Sequence, residues 1–139
     1  MTQIPVQQAI AAEPKYLKID NFKKFLERGQ ERFTIYCTPC HGQLGNGDGM
    51  IAARGLALKR KPATYHTDRL RKMPVGHFFD VITNGYGVMY SYGARVEVPD
   101  RWAIAAYIRV LQMSQNVRLS DLPTSQQSKV QPQPAEEPK

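Results

Sequence analysis

The sequence lacks several features that would assign the chain to a common structural class. It has no run of about eighteen apolar residues, so nothing in it is predicted to span a membrane. Residues 1–12 have neither the basic start nor the sustained apolar stretch of a secretory leader. Only two cysteines occur, both in one Cys-x-x-Cys, which leaves no long-range disulfide. A chain of 139 residues must therefore rely on one packed core plus a cofactor for its stability.

The positive charge is concentrated in one segment. The net charge is +7, and residues 54–72 contribute +6 of it through seven cationic side chains and one carboxylate, Asp68. The cations are Arg54, Lys59, Arg60, Lys61, Arg69, Arg71 and Lys72. This segment is either a solvated face or a docking patch for an acidic partner or an anionic surface.

Three stretches have the pattern of helices. The first is predicted from Ile19 to Tyr36, and a short one from Pro74 to Thr83, which Asn84-Gly85 ends. The last is predicted after Pro99, with Asp100 as N-cap, and runs to about Met113. The apolar stripe of the first helix is Ile19, Phe22, Leu26, Phe33 and Tyr36, with Gly29 on the same line.

The remaining segments are loops and ends. Residues 42–49 are predicted to form a tight loop because they are rich in glycine, and residues 85–93 a second loop that contains Met89. Residues 1–14 are predicted to be an irregular arm, and residues 114–139 a Pro/Gln-rich tail that cannot form its own core. The predicted domain is therefore 15–113, mainly α, with long loops that pack around a cofactor.

Cys37, Cys40 and His41 form a Cys-x-x-Cys-His motif directly after the first predicted helix. Two thiols at this spacing can add to both vinyl groups on one side of a porphyrin, and the adjacent imidazole then lies under the iron. The motif predicts one covalently bound haem c, with His41 as an iron ligand. Since such haem is attached outside the cytoplasm, we expect no nucleic-acid partner, and we expect either a leader that has been removed or attachment at a membrane.

Two other chemistries use a Cys-x-x-Cys pair. A thioredoxin-like redox pair follows a strand in a βαβ unit, whereas an amphipathic helix precedes this pair. Structural zinc needs two further ligands, for which only His66 and His77 are available. Both alternatives are weaker than haem.

The position of the motif in the first third of the chain resembles the class I cytochrome c family. That family has a glycine eight residues before the first cysteine and an aromatic residue four before it, where this chain has Gly29 and Phe33. Its last helix carries an aliphatic residue and, three positions on, an aromatic one, which Ile104 and Tyr107 match. The resemblance implies a class I cytochrome c fold in which the N- and C-terminal helices cross at the glycine.

The second iron ligand must come from another segment. Met50 is too close to the motif to reach the opposite haem face, and Met113 ends the last helix, while His66 and His77 are more typical of structural histidines. Met89 is favoured because its loop contains Gly85, Gly87 and Gly93 and corresponds to the loop in which the family keeps its methionine. Met73, at a Met-Pro step, remains the alternative. Ligation by His41 and Met89 closes the iron to substrates and favours electron transfer over catalysis.

Two stretches carry a closer resemblance: MPVGHFFDVITNGYGVM at residues 73–89 and DRWAIAAYIR at residues 100–109. Over about residues 28–113 the chain is similar to the mono-haem cytochrome c subunit of bacterial alternative complex III, a membrane quinol:electron-acceptor oxidoreductase. The resemblance implies an electron-transfer subunit without catalysis of its own, at the periplasmic face of the inner membrane. Its implied partners are multi-haem cytochrome c, iron–sulfur and membrane subunits, and a downstream soluble carrier or terminal oxidase. The alternatives are a free diffusible class I cytochrome and a metal-structured interaction module.

Overall fold

The computed structural model describes residues 22–54 and 61–129. Within these ranges the chain is helical and contains no strand, only one isolated bridge between Tyr86 and Met89. The helices are α1 (Phe22–Tyr36), α2 (Thr38–His41), α3 (Met50–Ala53), α4 (Asp68–Lys72), α5 (Val75–Asn84), α6 (Val98–Asn116) and α7 (Thr124–Gln127), with a 3-10 turn at Leu119–Asp121. The predicted mainly α fold is confirmed.

Helices α1 and α6 cross closely, as predicted. Phe25, Gly29 and Phe33 form the buried face of α1, at helical spacing. The predicted stripe is therefore partly wrong, since Phe22, which it included, is 54% exposed, whereas Phe25, which it left out, is fully buried. A β-carbon on Gly29 would overlap the carbonyl oxygen of Ala103 on α6 and lie 3.1 Å from the β-carbon of Tyr107. The absence of a side chain at Gly29 therefore lets the two backbones approach.

The start of α6 differs from the prediction. The helix begins at Val98 with Glu97 as N-cap, and Pro99 lies in its first turn, where its missing N–H has no partner to lose. Asp100 is not the N-cap: its carboxylate accepts two hydrogen bonds from Arg28 of α1, at 2.9 Å and 3.0 Å. The predicted cap is therefore wrong, because the Asp100 carboxylate instead forms an ion pair with Arg28, which joins α6 to α1.

The other helix boundaries lie closer to the predicted ones. Helix α1 ends at Tyr36 as predicted, although Ile19 lies outside the described residues. Helix α5 begins one residue after Pro74 and stops at Gly85, whose φ of 79° suits glycine. Helix α6 runs to Asn116 and so extends beyond the predicted end at Met113.

The predicted ends of the chain lie largely beyond these helices. Residues 1–14 are outside the described ranges, as are residues 130–139. Residues 117–129 contain only the short turn and α7, and none of these residues is buried. Lys59 and Arg60 of the basic segment are also outside the described residues.

Helix α5 packs on α6 beside the crossing. Phe78 and Ile82 are buried, and the ring of Phe79 stacks on Trp102 with centroids 4.2 Å apart. Because α5 leads into the loop that carries Met89, this packing sets where that loop begins.

Candidate functional site

The Cys-x-x-Cys-His motif lies on one helical turn. Helix α1 continues into the motif, since the backbone N–H of Cys37 donates to the carbonyl oxygen of Phe33 at 2.8 Å. The N–H groups of Cys40 and His41 then both donate to the carbonyl oxygen of Cys37, at 3.2 Å and 2.9 Å. Both cysteines are free and partly buried. This short turn holds two thiols and one imidazole close together.

His41 is held against an aromatic ring. Its imidazole stacks on Tyr65, with centroids 5.0 Å apart and planes 19° from parallel. Burial lowers the pKa of His41 to about 4, so the ring is neutral near pH 7, which is the form that can ligate a metal. The Nδ1 atom is buried and has no hydrogen-bond partner among the residues that the structure describes. An unpaired buried polar atom is costly, and such sites in proteins commonly serve a further role.

The environment of Cys37 argues against thiol redox chemistry. Burial, with a smaller contribution from the neighbouring Cys40, raises the pKa of the Cys37 thiol to about 12. A reactive redox cysteine needs the opposite shift, because the thiolate is the nucleophile. The thioredoxin-like alternative is therefore disfavoured.

The motif opens onto a large apolar cavity of about 380 Å³. Cys37, Cys40 and His41 line one part of its wall, and Met89 lines another. Most of the rest is apolar, including Tyr65, Leu70, Phe78, Ile82, Val96, Ile104 and Ile108. The cavity thus brings the four predicted haem-binding residues, from two separate segments, to one space.

The other predicted ligand candidates are distributed differently. Met50 and Met113 are exposed and lie outside this cavity wall. Met73 is packed against the core and is also absent from the wall. The Nε2 atom of His66 lies 2.8 Å from the carbonyl oxygen of Leu44. His77 does line the cavity, with its ring against Phe78 and Tyr86, so His77 rather than Met73 is the nearer rival of Met89.

The loop after α5 turns Met89 toward the cavity. Gly85 and Gly87 have φ values of 79° and 55°, which permit the tight turn. Tyr86 and Met89 exchange two backbone hydrogen bonds, at 3.0 Å and 2.9 Å. Val88 and Tyr90, the chain neighbours of Met89, are 50% and 87% exposed, whereas Met89 is half-buried.

Some site residues carry no sequence signal. Tyr65 lies in an irregular segment between Pro62 and His66, and nothing in its spacing indicates that it stacks on the motif histidine. Arg101 sits in a helix pattern as one polar residue among others, yet it is buried and donates to the carbonyl oxygen of Gly93. Gly93 belongs to the segment between α5 and α6 that contains Met89, residues 85–97, which we call the Met89 segment. Neither contact lies within a single helix, since Tyr65 is in an irregular segment and Arg101 of α6 reaches Gly93 in the preceding loop, so helical periodicity does not report them.

Two features are not found among the described residues. No group of three or more His, Cys, Asp or Glu is arranged in residues 22–54 and 61–129 to hold a metal ion. Over the same ranges, no helix is both long and apolar enough to cross a membrane.

A known protein family matches most of this domain. The model of a family described as "Cytochrome C oxidase, cbb3-type, subunit III" matches residues 25–108, which is more than half of the chain. The matched range includes Cys37, Cys40, His41 and Met89. No curated protein matches the chain.

Proposed function

Since the chain belongs to the cytochrome c family described as cytochrome c oxidase, cbb3-type, subunit III, it has a c-type cytochrome domain of the class I fold, and we propose that it transfers electrons through one haem c. Haem c, when bound, supplies an iron that alternates between the ferrous and ferric states. The observation that carries the proposal is the presence of Cys37, Cys40, His41 and Met89 on the wall of one apolar cavity.

The residues fit such a group. Cys37 and Cys40 are free thiols on one turn and would form the two thioether bonds. His41 is neutral near pH 7, which is the form in which an imidazole can bind iron, and no described residue pairs with its buried Nδ1. Met89, on another part of the cavity wall, would supply the second iron ligand.

The chain's side chains also favour electron transfer over substrate chemistry. Ligands on both faces would leave the iron no open position, so we propose that the chain has no catalysis of its own. The buried rings and aliphatic groups that form most of the cavity wall would give a redox centre an apolar environment, which favours its less charged form.

We further propose that the chain is a subunit of alternative complex III at the periplasmic face of a bacterial inner membrane. The support is the similarity of residues 73–89 and 100–109 to the mono-haem cytochrome c subunit of that complex. Its partners are then multi-haem, iron–sulfur and membrane subunits, with a soluble carrier or a terminal oxidase as acceptor. The family description instead names a subunit of a cytochrome c oxidase, and a free diffusible cytochrome is the remaining alternative.

Isolation of the affinity-tagged chain from a mild detergent extract of its native membranes tests both proposals. After denaturation and extraction with acidified organic solvent, haem should remain on the chain, at one haem per chain by intact mass. Haem that leaves with the solvent would contradict covalent attachment.

The proteins that co-elute decide the assembly. Multi-haem cytochrome and iron–sulfur subunits are expected to co-elute with the chain. Terminal oxidase subunits in their place would support an oxidase subunit, and recovery of the chain alone in the soluble fraction would support a diffusible carrier.

A further inference from the structure

Backbone and side-chain hydrogen bonds join the Met89 segment to α5. The N–H of Tyr92 donates to the carbonyl oxygen of Ile82 at 2.9 Å. The hydroxyl of Ser91 donates to the carbonyl oxygen of Thr83 at 2.5 Å. These bonds fix the point where the loop leaves the cavity and returns toward α6.

Arg101 adds a second fastening from α6. It is only 9% exposed, and all three guanidinium nitrogens have partners. Nε donates to the carbonyl oxygen of Val96 at 2.8 Å, and Nη2 to that of Gly93 at 2.6 Å. Nη1 donates to the hydroxyl of Thr83 at 3.3 Å. The Arg101 side chain, which belongs to α6, therefore bonds both to the Met89 segment, at Gly93 and Val96, and to Thr83 of α5.

The geometry points to Arg101 as a positioning residue that keeps the Met89 loop closed over the cavity. This inference rests on the proposal that Met89 is an iron ligand. A thioether is a neutral, weak ligand, so its bond persists only while the loop that carries it stays in place. A planar guanidinium suits this task, because its fork of donors can bind several carbonyl oxygens in one fixed geometry, which a lysine ammonium cannot.

Arg109 provides a matched control on the same helix. It lies two turns after Arg101 and also donates to backbone carbonyl oxygens, those of Arg71 and Met73. Its guanidinium lies 5.0 Å from the centroid of the Phe78 ring, as that of Arg101 lies 5.9 Å from Phe79. The two arginines thus make the same kinds of contact, although Arg101 is buried and Arg109 only half-buried, and Arg109 binds the segment of Met73 and not the loop of Met89.

The test compares Arg101→Lys and Arg109→Lys in the haem-loaded protein. An added ligand such as cyanide binds ferric iron only after Met89 has left, so its apparent affinity reports the open fraction of the loop. For Arg101→Lys we expect cyanide to bind about tenfold more tightly, equivalent to about 1.4 kcal/mol, and the thioether-to-iron charge-transfer band to weaken. Arg109→Lys should leave both readouts close to wild type, even where it lowers the melting temperature.

A milder variant guards against misfolding of Arg101→Lys. Thr83→Val keeps the shape of the side chain but removes one of the three Arg101 partners. It should move cyanide affinity in the same direction, by a smaller factor. If Arg101→Lys cannot be produced, unchanged affinity in Thr83→Val overturns the inference.

The remaining outcomes separate the inference from the proposal beneath it. A wild-type protein without the thioether band would overturn ligation by Met89, and the role of Arg101 with it. If the wild-type protein shows the thioether band and Arg101→Lys binds cyanide with unchanged affinity, only the role of Arg101 is overturned. A larger effect in Arg109→Lys would overturn the inference and indicate Met73 as the ligand.

Discussion

His41 follows Cys40 directly, so the motif alone identifies the residue that can ligate iron, but its surroundings set its protonation. Burial keeps the imidazole neutral, with its pKa lowered to about 4, and the ring stacks on Tyr65. Cys37 is affected in the opposite sense, since burial raises its pKa to about 12. The same desolvation acts on both groups, because in each case it disfavours the charged form. The motif predicts the chemistry, and burial suppresses the competing thiolate chemistry.

Met89 is expected to set the reduction potential. Thioether ligation favours reduced iron relative to imidazole, so Met89→His should lower the midpoint by about 100 mV or more. Met73→His should change it little, because Met73 is not on the cavity wall. Redox titration of both variants measures this. A shift in Met73→His with none in Met89→His would show that the other methionine ligates.

His77 needs its own control, since it lines the same cavity. His77→Phe removes the imidazole and keeps an aromatic ring against Tyr86 and Phe78. We expect the thioether-to-iron charge-transfer band to survive this change. A wild-type protein that lacks this band, with a low-spin haem spectrum that changes in His77→Phe but not in a Met89 variant, would identify His77 as the ligand.

The crossing of α1 and α6 is the element-scale feature that the sequence predicts best. The resemblance to class I cytochromes c, which have a glycine eight residues before the first cysteine, implies the crossing, and the close approach of Gly29 to Ala103 explains why a side chain is absent there. The Arg28–Asp100 ion pair, one residue before Gly29 on α1, has no such signal in the sequence. Spacing along a helix shows which face is buried, but it does not show which polar groups will meet across the crossing.

Gly29→Val should destabilise the fold through this crossing. Its β-carbon would overlap the Ala103 carbonyl oxygen, and since backbone cannot yield as a side chain does, the overpacking cost should be about 1–3 kcal/mol. The exposed neighbour provides the control: Gln30→Val adds the same side chain to α1 and should cost only a few tenths of a kcal/mol in helix propensity. Thermal unfolding measures both. Equal melting temperatures for the two variants would contradict the contact.

At the scale of the whole molecule, part of the basic segment lies on the wall of the cavity. Lys61 and Arg69 of the basic segment line the cavity, on whose wall exposed Tyr86, Val88 and Tyr90 also lie. Arg71 is paired with Asp68 at 3.1 Å, so it contributes less to the field. An apolar patch beside cations suits a partner with an acidic surface, and electrons would cross where the redox group lies nearest to the surface.

Reversing the two cavity cations should slow electron exchange with such a partner. Lys61→Glu combined with Arg69→Glu is expected to lower the second-order rate at low salt by about tenfold or more, because exposed charges steer association. The effect should shrink at physiological salt, where screening acts over about 8 Å. Arg118→Glu with Lys129→Glu makes the same charge change outside the cavity wall and serves as control. Equal rates for both double variants at every salt concentration would show that the basic segment is only a solvated face.

By itself, the sequence predicted the haem motif and the mainly α class, which follow from residue types at short, fixed spacings that local geometry constrains. Its resemblance to class I cytochromes c implied the crossing at Gly29 and favoured Met89 as the second ligand. Only the tertiary structure decided that Tyr65 stacks on His41, that Asp100 pairs with Arg28 instead of capping α6, and that Arg101 bridges the Met89 segment to α5. These contacts join residues far apart in the chain, and burial, which no periodicity measures, determines which partners they find.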